Sequence, residues 1–502
     1  MIIFIARRLV ISFFVLLAAT FIIFVLTALS GDPLEDLRQD ASPQKALKIA
    51  DRVERMQLDL PVLLRYVGWL GRIVRGDLGV NRDGQDVAIL LGDSLSSTLQ
   101  LVLAATVLAI TVGIVVGIVS ALRQYSGFDY TVTFAAFVCF SLPLFWVAVM
   151  LKQYVAIEFN NWLKDPNIPP VVIGLLALLG GLTFGALTMG ERRRRLIGFA
   201  VGLVVSGVLF TTLSVTRWFA DPGLGTPLIL AFGLAAAVGF TVLTAGLQYR
   251  GPLYAALGAA VIGALSSQVL GSALTDPTWL EIGGLLLLTI AVCVGLGYAF
   301  GGLQRQQAIT ATVLTGVFTG GMVFLDRMLQ AFATFATTVR GRPISTIGAR
   351  TPNYDGDFWQ LNLDSAGHLL LPTMALILIS LATYTRYSRA SMLEVMNQDY
   401  VRTARAKGLP ERTVVVKHAF RNGLIPITTL MAFDLAGVIG GAVVTENVFG
   451  WRGMGFMFTK GLQEVDPGPV MAFFLVTGTT IVVFNMLADI LYAYLDPRIR
   501  LS

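Results

Sequence analysis

An all-α polytopic membrane protein is the fold class this sequence predicts, on three observations. Of its 502 residues, 55% are hydrophobic and only 14% are charged, whereas soluble domains carry about 25% charged residues. The mean hydropathy is strongly positive, +0.74. Apolar runs long enough to cross a bilayer, roughly 20 residues each, recur about twelve times between short polar separators. The same composition excludes disordered, collagenous and disulfide-scaffold classes.

The first 160 residues hold three of these runs. Arg7-Arg8 precede an apolar stretch from Leu9 to Leu29. It is longer than the core of a signal peptide and is followed by Ser30-Gly31-Asp32-Pro33 rather than a small-x-small cleavage site, so it is read as a first span with its N-terminus inside. Residues 31–95 are polar, expected outside, and include a mildly amphipathic stretch, Leu60–Val74. Spans are expected near 97–122 and 131–157.

Between 171 and 330 only 13 of 160 residues are charged, about half the density of the rest. Six runs fall near 171–190, 196–216, 228–247, 253–274, 283–303 and 308–329. Their alternate separators, Glu191–Arg195, Gln248–Pro252 and Gln304–Gln307, carry six Lys/Arg, and the two between them carry only Arg217. By the positive-inside rule the first set is cytoplasmic. Six is an even number, so the block returns the chain to the side it left.

A polar outside stretch, about 330–367, precedes three more runs at about 369–386, 424–446 and 469–492, and the basic end Asp496-Pro497-Arg498-Ile499-Arg500 is expected inside. The count is about twelve spans, with both termini cytoplasmic. Small-xxx-small pairs such as Gly113/Gly117, Gly316/Gly320 and Gly437/Gly441 favour close helix packing, without locating a functional site.

Little in the chain suggests chemistry of its own. Cys139 and Cys293 lie in apolar runs, and His368 and His418, read as capping or loop residues, lack neighbours at metal-ligand spacing. No metal or cofactor is expected. The P-loop pattern is absent, so nucleotide is not expected to bind here. The net charge of +6 is assigned to inner loops rather than to nucleic acid.

The most informative stretch follows residue 373. Thr373–Lys407 contains neither glycine nor proline, which predicts one long helix leaving the membrane. It should stop at Gly408-Leu409-Pro410, and Pro410-Glu411 suits a new helix start. From Arg386 to Arg421 there are eight Lys/Arg against Glu394, Asp399 and Glu411. A plain basic loop would serve to fix topology. The ordered helix, stop and second helix instead suggest a short element that docks in a partner's cleft, with Thr403, Ala404, Ala406 and Gly408 allowing close approach.

The run Asp399-Tyr400-Val401-Arg402-Thr403-Ala404-Arg405-Ala406-Lys407-Gly408-Leu409-Pro410-Glu411-Arg412 resembles the coupling motif of ABC importer permeases, and more closely the B-type permeases of the dipeptide/oligopeptide/nickel group. Lys417–Pro426, Gly441–Trp451, Leu495–Arg500 and Gly76-Asp77-Leu78-Gly79 match as well. Arg402-Thr403-Ala404 stand where the general motif has an acidic residue and two alanines, as the peptide subgroup commonly allows. The resemblance covers about 1–160 and 345–502, a six-helix type I permease core. It leaves 171–330 as about six additional helices, either a lipid-facing appendage or a regulatory, partner-binding element.

The resemblance implies a non-catalytic transport subunit for peptides in the cell membrane. It would pair with a second permease and with two cytoplasmic P-loop ATPase subunits that bind ATP and Mg, and take substrate from an external binding protein. Asp399, Tyr400, Arg402, Thr403, Ala404, Arg405, Ala406, Lys407 and Gly408 would couple it to the ATPase. Asp434, near mid-span, is either a pathway contact for a peptide amino group or a packed polar residue, since intramembrane charge marks function by default. Glu446, toward the outer end, is expected to help form an outer gate, and Asn485 and Asp489 to serve helix packing. Nickel or another small solute fits the same core motifs. An ion-coupled secondary transporter would need further midplane ionisable residues, and a membrane enzyme would need a catalytic cluster that the sequence lacks.

Overall fold

The computed structural model describes residues 2–188, 191–420, 422–424, 426–428, 430–431, 434 and 442–495. The secondary structure is α-helical, with no strand among the described residues. In chain order the main helices begin with α1 (Ile2–Leu29), α2 (Lys45–Met56), α3 (Val62–Val74), α4 (Val87–Leu122), α5 (Gly127–Ser141) and α6 (Leu144–Leu163). There follow α7 (Pro170–Leu187), α8 (Arg192–Val215), α9 (Gly225–Thr244), α10 (Arg250–Val269), α11 (Trp279–Phe300) and α12 (Arg305–Gln330). The last are α13 (Phe358–Met396), α14 (Asp399–Ala406), α15 (Val443–Phe449), α16 (Met454–Gln463) and α17 (Pro467–Leu495).

Ten described helices are long and apolar enough to span a membrane, or eleven if the bent pair α5–α6 is counted as one span. Of the expected run at 424–446, residues 425, 429, 432–433 and 435–441 lie outside the described residues, and its end falls in the short helix α15. The straight span expected at 131–157 is corrected to two helices meeting at 103°. Pro143 is the reason: it lacks an N–H and pushes the residue before it out of the helical region, and Leu142 is extended, with φ −84° and ψ 132°. The expected span at 97–122 begins ten residues earlier, because Asp86 caps α4 by accepting the Ala88 N–H at 2.7 Å.

The chain packs as two units. One comprises Met1–Val155, Thr346–Ala349 and Leu369–Ser502; the other comprises Ala156–Ser345 and Arg350–His368.

In the first unit, α1 and α3 bury Phe24, Tyr66 and Trp69 against Met471 of α17. The Tyr66 hydroxyl lies 3.1 Å from that of Thr20. The Arg82 backbone N–H donates to Asp466 at 2.7 Å, tying the segment before α4 to the start of α17. Helices α4 and α13 approach so closely at Gly117 that a Cβ there would lie 2.6 Å from the Thr385 carbonyl.

One packed cluster of the second unit is made of small residues alone. Ala237, Ala256, Ala260 and Ala311 form the packed centre of α9, α10 and α12. Thr312, Thr315 and Thr319 turn their hydroxyls back onto carbonyls one turn earlier, so these buried polar groups are satisfied within α12. His368, expected in a cap or loop, is instead buried inside α13, with Nδ1 2.8 Å from the Asp364 carbonyl. In the first unit, His418 likewise falls within a helical segment, Val414–Phe420, rather than a loop.

Candidate functional site

The single helix expected from Thr373 to Lys407 is broken. Helix α13 ends at Met396, and the Asn397 and Gln398 N–H groups fall back on Glu394 and Val395 in i→i−3 bonds. Gln398 is extended, with ψ 149°, and α14 starts at Asp399 in a new direction. Burial drives the turn. Val401 and Ala404, one helical turn apart, pack with Met392, Val414, Ala419 and Ala121 in one apolar cluster. The charged and polar faces of α14 cannot enter that cluster, so the chain must bend to let these two residues in.

The stop at Gly408 has the expected geometry. Its φ is +73°. The Gly408 N–H donates to the Arg405 carbonyl at 2.9 Å and the Leu409 N–H to the Ala404 carbonyl at 3.4 Å, which is a Schellman cap. Beyond it, Glu411 accepts from Arg405 at 2.8 Å, and this bond holds the Glu411 carboxyl below its usual range and raises the Arg405 guanidinium.

The structure therefore sorts the expected coupling residues into two sets. Asp399, Tyr400, Arg402, Thr403, Arg405, Ala406, Lys407 and Gly408 are exposed, while Ala404 faces inward with Val401. Val401 is a residue that sequence reasoning missed. Its signal was the apolar pair at i and i+3 within an otherwise polar octet.

A second missed element lies beside this cluster. Asp129, buried in the first turn of α5, takes both arms of Arg389 at 2.6 and 2.9 Å. It also accepts from the Ser120 hydroxyl at 2.5 Å and from the Tyr125 N–H at 3.1 Å. Four hydrogen bonds, from residues of α4, the α4–α5 turn and α13, thus meet on one carboxylate. Arg386, one turn before Arg389, sits over the rings of Phe137 and Phe140 at 4.7 and 4.9 Å.

Of the two expected pathway residues, Asp434 is half-buried in a helical turn, and its carboxylate is the charged neighbour of the fully buried Tyr384. Glu446, expected at an outer gate, is instead completely enclosed. One oxygen accepts from the Thr98 hydroxyl at 2.6 Å and the other from the Phe456 N–H at 3.0 Å. Thr98 in turn accepts from the Met454 N–H at 2.8 Å, and the Trp451 indole donates to the Ser97 carbonyl at 3.0 Å. The carboxylate is occupied in joining the α15–α16 turn to α4, which leaves it no open face. Asn485 is partly buried in α17, and the side chain of Asp489 lies outside the described residues.

Comparison with known proteins agrees with this architecture. Residues 312–501 match the family described as binding-protein-dependent transport system inner membrane component. The chain is 26% identical over 501 residues to the oligopeptide transport system permease protein OppB of Mycobacterium tuberculosis, covering 99% of both. It is 26% identical over 503 residues to the oligopeptide transport system permease protein AppB of Bacillus subtilis, again over 99% of each. The dipeptide transport system permease protein DppB of Escherichia coli is 38% identical over 181 residues, 36% of this chain and 49% of that one. The chain belongs to the inner-membrane permease components of binding-protein-dependent transport systems, on their dipeptide and oligopeptide branch.

Proposed function

We propose that this chain is one of two permease subunits of an ATP-driven importer of di- and oligopeptides. It takes peptide from an external binding protein and is driven by two cytoplasmic ATPase subunits, which bind the ATP and Mg. The permease core comprises 1–160 and 345–502, and 171–330 is an additional six-helix block. The N- and C-termini, the loops around Arg192–Arg195 and the segment 394–421 face the cytoplasm, in keeping with the positive-inside rule.

The observation that carries the reading is the two-sidedness of α14. Val401 and Ala404 bolt it to the ends of α4 and α13 through one apolar cluster. Tyr400, Arg402, Thr403 and Arg405 remain on its free faces. A helix held from behind and bare in front suits insertion into a cleft on a soluble partner. Closure of that cleft would move α14, α4 and α13 together, a two-state element biased from a distance. Asp434, beside Tyr384, is the carboxylate we place on the peptide pathway, where it would receive the peptide amino group.

The test uses the reconstituted complex with labelled peptide uptake and ATP hydrolysis measured in parallel. Gly408→Val forces an L side chain into the left-handed region, at roughly 1–2 kcal/mol, and should abolish both uptake and peptide-stimulated hydrolysis while membrane insertion stays normal. Gly408→Asn, which tolerates that region, should retain most of both. Full uptake by the valine variant would refute the docking role.

A further inference from the structure

The second unit contains a half-enclosed cavity of about 510 Å³ between α10, α11 and α12. Its walls are apolar, among them Ile262, Leu285, Leu288, Val292 and Val317. On the α12 side the wall is kept low by glycine: a Cβ added at Gly320 would meet nothing within 4 Å. One end of the cavity is framed by Trp279, Phe324 and Trp359, whose rings pack edge to face or stacked and whose Trp359 indole donates to the Leu274 carbonyl at 2.8 Å.

Arg327 lines the same end. One terminal nitrogen donates to the Ser267 carbonyl at 2.6 Å, while its Nε is buried with no hydrogen-bond partner among the described residues. A buried donor of a charged group in this position calls for an acceptor.

The depth of the cavity narrows the choice. From Gly316 at its floor to Arg327, α12 rises about 16 Å at 1.5 Å per residue, roughly half of the ~30 Å hydrocarbon core. Tryptophans favour the level of the lipid headgroups. An apolar slot one leaflet deep, with an underused guanidinium at its aromatic rim, matches an acyl chain below and a phosphate above, and guanidinium is the side chain best shaped for phosphate.

We propose that this cavity holds a resident phospholipid, with one acyl chain between α11 and α12 and its phosphate on Arg327. The additional block is then a lipid-binding module. This inference rests on the chain spanning the membrane and is independent of which peptides it moves.

The test compares the purified complex with its Gly320→Leu and Arg327→Gln variants. Gly320→Leu fills the slot from a position with free space, so the fold should persist, as a single monodisperse peak will show. Bound phospholipid is counted by native mass spectrometry, and exchange is followed with deuterated phosphatidylglycerol or phosphatidylethanolamine vesicles. The wild type should retain about one more phospholipid per chain than Gly320→Leu, and Arg327→Gln should exchange it about tenfold faster. A phospholipid carrying a diazirine in its acyl chain should crosslink to α11 and α12 in the wild type alone. Equal retention by all three proteins, crosslinks unaffected by Gly320→Leu, or displacement of the lipid by apolar peptide cargo or by a helix of another subunit would overturn the proposal.

Discussion

Asp129 and Arg389 stand 260 positions apart in the chain, yet share two hydrogen bonds at 2.6 and 2.9 Å. Nothing local in the sequence marks either one: an aspartate in the first turn of a helix reads as ordinary N-terminal charge. The pair was illegible because its partner choice is set by how α4, α5 and α13 pack. Removing one member of a buried ion pair costs about 3–5 kcal/mol; with Arg389 about one-quarter exposed, the lower end applies. Asp129→Ala should lower the stability of the detergent-solubilised protein by about 3 kcal/mol, and a double-mutant cycle with Arg389→Ala should show strong coupling. Glu411 is a weaker case, since it and Arg405 are both well exposed. Its carboxyl is held down by the Arg405 hydrogen bond, so the contribution is present above the ordinary glutamate range and is lost as pH falls through the lowered value. Solvent screening limits it to under about 1 kcal/mol. Hydrogen-exchange protection over 399–411, taken relative to the intrinsic rate at each pH, should accordingly be flat between pH 6 and 8, fall below pH 4, and respond to salt. Gly408, by contrast, was readable in full: a glycine followed two residues on by proline announces a helix stop by local chemistry alone.

At the scale of the element, hydrophobic length was the strong signal. Runs near 9–29, 228–247 and 308–329 appear as helices with similar bounds because a bilayer-crossing helix is specified by its own composition. Breaks were harder to read. Pro143 was available as a warning but sits in an unbroken apolar run, and the turn at Asn397–Gln398 has no glycine or proline at all. That turn follows from where Val401 and Ala404 find cover, which is tertiary information. The Gly113/Gly117 pair was legible as a packing motif, and its partner, the stretch of α13 from Tyr384 to Arg389, was not. Gly117→Leu should force α4 and α13 apart, costing about 1–3 kcal/mol as overpacking, with reduced recovery of folded protein in fluorescence size-exclusion chromatography. Gly320→Leu, whose Cβ has open space, provides the matched control and should recover normally.

For the molecule as a whole, the composition shift at 171–330 drew attention to helices α7 to α12, while the second unit takes in more of the chain, from Ala156 to Ser345 and from Arg350 to His368. The larger extent comes from polar connections such as Asn160, which exchanges hydrogen bonds with the backbone of Ile344 at 2.8 and 3.2 Å. No hydropathy profile registers such a tie. Six helices, α7 to α12, lie between these connections, so reporters fused after residue 165 and after residue 345 should read the same side of the membrane. Opposite sides would mean that one of the six does not cross. Helix α4 carries a further consequence. Its Thr98 end is latched to Glu446 and the α15–α16 turn, and its Ala121 end lies in the cluster that seats α14. About 35 Å of uninterrupted helix separates the two, more than the hydrocarbon thickness, so on the proposed function α4 would act as a pushrod through the bilayer with a fitting at each end. A hinge placed in its middle, Ala109→Pro, should leave ATPase binding and the Glu446 latch in place and still disconnect hydrolysis from uptake.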